Sequence, residues 1–166
     1  EHELWAALLR LGPGFAAYLL SFTMLGTFWL AQHTLLGILG RCDRTLTWIG
    51  LGFLFVVTLL PFSAALLAHY VQQRLAVGLY WLNILLLGAG LEWAARYGRR
   101  AFLSGDAGQE RSRLATFRRR ILLAQSLYAL AALVCLVSAQ ASVAALAAVQ
   151  LYFIVSPSLA RLRRAP

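Results

Sequence analysis

The chain has 166 residues, 61% of them hydrophobic, and a mean hydropathy of +0.72. A soluble domain of this size does not need so much apolar surface, and the long unbroken apolar runs differ from the short alternating segments of a membrane β-barrel. The net charge of +9 comes from 15 basic residues, all arginine, and 6 acidic residues. Because the arginines lie between the apolar runs, membrane topology explains them better than nucleic-acid binding. We therefore predict an all-α integral membrane protein that forms a single transmembrane domain over residues 1–166.

Five apolar runs are long enough to span a bilayer as helices. Their approximate bounds are residues 15–39, 45–68, 75–95, 121–137 and 142–159. The last two come from one uncharged stretch, which as a single helix would be about 60 Å long, roughly twice the hydrocarbon thickness. We therefore predict that the chain reverses near residues 138–142.

Proline and glycine predict two irregularities in these helices. Gly12, Pro13 and Gly14 predict a break between an amphipathic lead-in at residues 1–10 and the first span. Pro61 lies near the far end of the second span, where a proline kinks a helix or ends its regular part. We interpret Pro61 as a helix-shaping residue rather than a gate.

The third span is followed by an arginine-rich segment, residues 96–120, which we predict to be a cytoplasmic loop. Glu92 lies one turn before Arg96, a spacing typical of an ion pair at the level of the lipid headgroups. An ion-binding carboxylate is the alternative for Glu92. Three consecutive arginines, 118–120, favour a role in topology and headgroup contact.

The arginines are distributed unevenly between the two sides of the membrane. Thirteen lie on the side that holds the first turn, residues 96–120 and the C-terminus, whereas Arg10 and Arg74 lie on the other. The positive-inside rule then predicts a multi-pass protein of the cell membrane with a cytoplasmic C-terminus. Since the start shows no signal-peptide pattern, we expect a further membrane helix upstream, so that five visible helices belong to a six-helix bundle. A native five-span protein is the alternative.

A candidate functional site lies in the first span. Trp29 and His33 are four residues apart and share one helix face, and Gln32 borders that face. Histidine and glutamine inside lipid cost free energy unless they have partners. His33 is therefore either a core histidine bonded to a neighbouring group or a polar contact that supports another helix. For Trp29, ordinary packing is an equally good interpretation.

Nothing in the sequence indicates an enzyme. It contains no phosphate-binding glycine loop, no Cys/His metal spacing and no zinc-protease motif, so we expect neither a cofactor nor a metal site. Cys42 lies in a short loop and Cys135 in an apolar run, and a disulfide between them is not expected.

The ordered set of residues in the first three spans resembles the transmembrane protein 175 family of potassium channels. The matches to that family's second helix are Ser21, Phe22, Gly26, Thr27, Phe28, Trp29, Gln32 and His33. Those to its following turn and to its third and fourth helices are Arg41, Cys42, Asp43, Leu46, Trp48, Leu59, Leu60, Pro61, Phe62, Leu79 and Tyr80. The resemblance covers about residues 15–97.

The resemblance implies a six-helix unit with a cytoplasmic N-terminus, which agrees with the topology predicted from the arginines. It also implies a homo-tetramer around a central potassium pore. The family's first helix, which carries an Arg-Phe-Ser-Asp signature and lines the pore, is not found in residues 1–166. Gln32 replaces the first of two usual histidines, and Gly50 replaces a usual asparagine. By resemblance, Trp29, Gln32 and His33 would hold the pore-lining helix in place.

These observations predict a subunit of a potassium-selective leak channel, whose interactions are with potassium ions, the bilayer and copies of itself. Two alternatives remain at this stage. One is a five-span membrane scaffold or assembly partner without channel activity, and the other is a proton-linked transporter that uses His33.

Overall fold

The computed structural model describes the backbone of residues 2–70, 72–103 and 108–162 and the side chains of residues 21–70, 72–103 and 108–153. Within these residues the chain consists of helices, and none of it forms a strand. The helices are α1 His2–Leu39, α2 Arg44–His69, α3 Arg74–Phe102, α4 Gly108–Leu133 and α5 Ala139–Leu162, with a short 3-10 helix, Val134–Leu136, between α4 and α5. The predicted all-α fold is thus confirmed.

Four helical segments of the described residues are long and apolar enough to cross a membrane. They are Ser21–Leu39, Arg44–His69, Arg74–Phe102 and Gly108–Leu136, and Ala139–Phe153 is a shorter apolar helix. The 3-10 helix and the residues after it reverse the chain between α4 and α5. Val137 N and Ser138 N both donate to Val134 O, at 3.0 Å each.

The predicted break at Gly12, Pro13 and Gly14 is wrong, because α1 continues through these residues without interruption. A proline removes one helical hydrogen bond and glycine weakens a helix by about 1 kcal/mol. These costs do not end a helix whose other backbone groups remain paired, particularly in an apolar environment that offers them no alternative partners. The side chains of the lead-in lie outside the described residues.

Helix α2 likewise continues beyond Pro61 to His69. Pro61 has no N–H to donate to the carbonyl of Val57. Nearby hydroxyls bond to other carbonyls of the helix: Thr58 Oγ1 donates to Phe55 O at 2.7 Å, and Ser63 Oγ donates to Leu60 O at 3.0 Å. Pro61 therefore does not end the regular helix.

The turn between α1 and α2 is built by two residues. Gly40 adopts a positive φ of 61°, which ends α1 because glycine tolerates the left-handed region without a Cβ clash. Asp43 then caps α2: its Oδ1 accepts a hydrogen bond from Leu46 N at 2.8 Å, which satisfies one of the free donors at the helix start.

Most of the segment expected to be an arginine-rich loop is helical. α3 runs to Phe102 and α4 begins at Gly108, so the connection between them is short. A run of charges suggested a loop, but arginine is a good helix former. The charged residues therefore extend two apolar helices beyond the thickness of the hydrocarbon core. At this connection Arg111 Nε donates to Leu103 O at 2.8 Å.

Helix α3 is the centre of the bundle. Half of its apolar window is buried inside the protein, against 22% for the windows of α1, α2 and α4. It contacts each of the other four α-helices. Ile84, Leu87 and Ala95 on α3 are completely buried, as are Leu60 on α2 and Leu114 on α4.

α1 and α3 end where α2 and α4 begin, and we call this end of the bundle the arginine-rich end. Three contacts hold it together. Tyr97 on α3 donates its hydroxyl to Asp43, before α2. Gly98 on α3 lies so close to Leu39 on α1 that a Cβ at this position would overlap the leucine side chain. The third contact is the Arg111–Leu103 hydrogen bond described above.

Candidate functional site

The described part of α1 has one buried face and one uncovered face. Met24, Phe28 and Leu35 are buried against the bundle. Phe22 and Trp29 are exposed, with 60% and 61% of their surface accessible. In this chain alone, a large part of α1 is therefore available to another helix or to lipid.

Trp29 and His33 form a pair on this uncovered face. Their rings are stacked, with centroids 5.4 Å apart and planes inclined by 12°. Both side chains are exposed, so the structure places His33 at the surface and not in the core. The predicted i,i+4 relation is present, and it orients both rings away from the bundle.

Gln32 lies at the edge of the same face, between α1 and α2. A Cβ on Gly50 of α2 would lie 3.4 Å from Gln32 Nε2, so the glutamine amide packs over the glycine. Gln32 Oε1 is buried, and no donor for it exists among the described side chains. The two positions that depart from the family pattern thus contact each other across the α1–α2 interface.

Two polar contacts to α3 within the bundle were not predicted from the sequence. Asn83 Nδ2 donates to Ser63 Oγ at 3.0 Å, which links α3 to α2. Gln125 Nε2 donates to Ile84 O at 3.1 Å, which links α4 to α3, and its amide occupies the space that a side chain at Gly88 would fill. The sequence did indicate such contacts, because an amide side chain inside an apolar run requires a hydrogen-bond partner.

The ion pair between Glu92 and Arg96 is confirmed, with Arg96 Nε donating to Glu92 Oε1 at 2.8 Å. A second arginine, Arg118 of α4, also binds this carboxylate, and its Nε is 2.9 Å from Oε1 and 3.1 Å from Oε2. Glu92 therefore joins α3 to α4. This structural role favours the ion pair over an ion-binding carboxylate, because both carboxylate oxygens already accept from guanidinium groups.

Asp43, in the turn before α2, accepts hydrogen bonds from the hydroxyl of Tyr97 and from Leu46 N. The Tyr97 hydrogen bond, with the Leu46 backbone bond second, holds the pKa of this carboxyl below its ordinary value. Asp43 thus stays ionised while it caps α2 and ties the turn to α3.

The described residues offer no cluster of histidine, cysteine or acidic side chains that could hold a metal ion. Cys42 is exposed and Cys135 is buried, and both are free. Pro61 is exposed on α2 and does not lie against the Trp29–His33 pair in any described contact.

Comparison with known proteins agrees with the pattern in α1 and α2. The family model described as endosomal/lysosomal potassium channel TMEM175 matches residues 1–61. A potassium channel of Streptomyces collinus is 37% identical over 70 residues, which are 42% of this chain and 34% of the relative. A potassium channel of Chamaesiphon minutus is 37% identical over 79 residues, or 45% of this chain and 38% of the relative.

A more distant relative is the endosomal/lysosomal proton channel TMEM175 of Danio rerio, 27% identical over 108 residues, which are 64% of this chain and 21% of the relative. No solved structure matches the chain. The chain thus covers well under half the length of each of these relatives. The matches identify an ion-channel family and not a class of enzymes. The resemblance predicted from the first spans is therefore confirmed: residues 1–61 match the model of the TMEM175 channel family, and the relatives that match the chain are named as channels of that kind.

Proposed function

We propose that this chain is the larger part of a subunit of a potassium-selective leak channel, in which four subunits surround a central pore. The two bacterial relatives named potassium channels support the choice of ion. Conduction would be passive, and selectivity would come from dehydration at an apolar constriction. By resemblance, a pore-lining helix that residues 1–166 do not contain builds that constriction.

The observation that carries the proposal is the uncovered polar face of α1 within the family match. A buried amide oxygen without a donor costs about 1–3 kcal/mol, and Gln32 Oε1 is such an atom among the described residues. His33 exposed to lipid adds to this cost. A helix packed on this face would supply a donor to His33 and would cover Trp29. The Gln32 amide, whose Oε1 is buried against α2 in this chain, would turn outward to bond to that helix, so that all three residues would support it.

The membrane orientation follows from charge. Of the described arginine side chains, Arg74 alone is at the end opposite to the arginine-rich end. The positive-inside rule then gives a cytoplasmic arginine-rich end in the cell membrane. With α5 leading back to that side, the C-terminus is cytoplasmic as well. Within this orientation Pro61 would shape α2 near its outer end.

Proton conduction is the second candidate, because the Danio rerio relative is named a proton channel. His33 is exposed on the uncovered face of α1, and an imidazole can both bind and release a proton. The two bacterial relatives have the higher identity over their aligned residues, 37% against 27%, so potassium remains the proposed ion.

Ion flux in liposomes tests the proposal. Residues 1–166 alone are expected to conduct no potassium, and the same chain joined to the segment encoded upstream of it is expected to conduct potassium in preference to sodium. In the extended chain, Gln32→Leu is expected to reduce flux. Thr34→Val is the matched control, because the Thr34 hydroxyl only donates to Leu30 O, at 2.7 Å.

Three outcomes would contradict the proposal. Selective potassium current from residues 1–166 alone would show that no further helix is needed. Silence of the extended chain would favour the scaffold. Proton flux that exceeds potassium flux and is abolished by His33→Ala would favour the transporter or proton channel.

A further inference from the structure

The arginine-rich end carries exposed guanidinium groups on both α3 and α4. Five of them have neither an ion pair nor a hydrogen bond to the protein among the described residues, and we call these five the junction arginines: Arg99 and Arg100 of α3 and Arg113, Arg119 and Arg120 of α4. Arg113 and Arg120 are seven residues apart and therefore share one face of α4. Their role is not explained by ion conduction.

Two contacts bring the junction arginines of α3 and α4 to the same end of the bundle. Arg118 binds Glu92, and Arg111 Nε donates to Leu103 O at 2.8 Å. These contacts hold the end of α3 beside the start of α4. Along the chain, Glu92 comes before the two junction arginines of α3, and Leu103 comes after them. Arg113 and Arg120 lie on the side of α4 opposite to the two arginines that bind α3. The junction arginines thus surround the paired ends of α3 and α4 and together form one cationic surface around them.

The acidic groups nearby do not neutralise this surface. Glu92 is already bonded to Arg96 and Arg118, and Asp43 is engaged by Tyr97 and by the start of α2. Glu110 is the remaining acidic side chain among the described residues of this end, and it is exposed. Five positive charges thus face one carboxylate.

The depth of these arginines matches the headgroup layer. α3 has 29 residues, a length of about 44 Å at 1.5 Å per residue, whereas the hydrocarbon core is about 30 Å thick. A hydrocarbon span counted from Arg74 ends near residue 94. Arg99 and Arg100 then lie about 8 Å further along the helix, within the polar layer of the bilayer.

Helix α4 gives the same depth. The apolar segment that includes α4 ends at Leu136, and a span of about 20 residues counted back from there ends near residue 117. Arg119 and Arg120 then lie at the boundary, and Arg113 lies about 6 Å beyond it. Soluble polyanions would reach only the outer part of this surface, whereas lipid phosphates occupy its full depth.

We propose that the junction arginines form a binding surface for the phosphate groups of anionic phospholipids. Guanidinium groups bind phosphate oxygens through paired hydrogen bonds, which gives geometry as well as charge. Arginine near an anionic membrane surface contributes about a fivefold increase in affinity per residue. The surface does not depend on the chain being a channel.

Native mass spectrometry of the purified chain in detergent micelles tests this proposal. The probes are dioleoyl phosphatidylglycerol, which is anionic, and dioleoyl phosphatidylcholine, which has no net charge. We expect phosphatidylglycerol to bind at least about tenfold more tightly, and Arg120→Gln to weaken it about fivefold. Arg74→Gln, at the opposite end, is the matched control and should leave binding unchanged, and Arg120→Lys should retain most of it.

Salt provides a measurement that needs no variant. At molar ionic strength the Debye length is about 3 Å, so salt weakens the attraction between exposed arginines and lipid phosphates. Phosphatidylglycerol binding to the unmodified chain should therefore fall steeply as ammonium acetate is added. Equal binding of the two lipids would overturn the proposal. So would equal loss in Arg120→Gln and Arg74→Gln, or displacement of the lipid by inorganic phosphate or duplex DNA at the same molar concentration.

Discussion

Glu92 is the residue whose substitution tests most directly how this bundle is held together. Its carboxylate binds one arginine of its own helix and one of α4. The side chains differ in exposure: 11% of Glu92 is accessible, with 24% of Arg118 and 59% of Arg96. Because solvent screens an exposed pair, Arg118 should contribute more to the stability of the fold than Arg96.

The magnitudes follow from this difference in exposure. Arg118→Gln removes hydrogen bonds to a charged, largely buried group, which are together worth about 1.5–3 kcal/mol. Arg96→Gln removes an exposed i,i+4 pair, worth less than about 1 kcal/mol. Glu92→Gln leaves Arg118 without its partner, and the coupling in a double-mutant cycle between Glu92 and Arg118 should be about 1–3 kcal/mol.

The assay is unfolding of the purified chain by sodium dodecyl sulfate in mixed micelles, followed by tryptophan fluorescence. Arg119→Gln is the control, because it removes the same charge from the next position of α4 at an exposed site and should change the free energy of unfolding by less than about 0.5 kcal/mol. Equal effects of Arg118→Gln and Arg96→Gln, or a coupling near zero, would refute the assignment of Glu92 as the connection between α3 and α4.

Three further predictions concern helix contacts. Gly98→Ala should lower the free energy of unfolding by about 1–3 kcal/mol through overpacking against α1, whereas Gly78→Ala, which meets open space, should be neutral or slightly stabilising; similar losses would contradict the packing. Asn83→Ala should cost about 0.6–1.7 kcal/mol, the range for hydrogen bonds between membrane helices, and an unchanged stability would show that its bond to α2 contributes nothing. The lowered pKa of Asp43 stabilises the fold above the carboxyl's unfolded pKa of about 3.9, and this contribution is lost as pH falls through the lower folded pKa. Tyr97→Phe should therefore flatten the dependence of unfolding on pH below about 4, and a profile identical to that of the unmodified chain would count against the hydrogen bond.

The sequence predicted features that depend on local composition. Apolar runs separated by arginines identified the membrane helices, and the spacing of Glu92 and Arg96 identified their ion pair. The second partner, Arg118, follows 26 residues later, and no local spacing connects two positions on different helices. The helical continuation across Pro13 was missed for a related reason: propensity describes the local cost of a residue, while the remaining backbone hydrogen bonds decide whether the helix continues.

The candidate site in α1 was likewise predicted only in part. The sequence identified Trp29, Gln32 and His33 as polar or amphipathic residues on one side of a helix, and two of them do form a stacked pair. The exposure of Trp29 and His33 could not be predicted. The spacing of residues shows which side chains share a helix face, but it does not show which other helices pack against that face. The role of this face in supporting a pore helix stays a prediction.

Gln32 and Gly50 give the strongest reason to treat α1 and α2 as one functional unit. As separate departures from the family pattern, each weakens the expected polar contacts between the first helices. In the structure they are adjacent: the glutamine amide lies against the glycine, at 3.4 Å from the position of a Cβ. A Cβ at residue 50 would reach ordinary van der Waals contact with the Gln32 amide, so an asparagine at this position would place its own amide beside that of Gln32. Gln32 and Gly50 are thus neighbours at the α1–α2 interface, where Gln32 Oε1 is buried without a donor among the described residues.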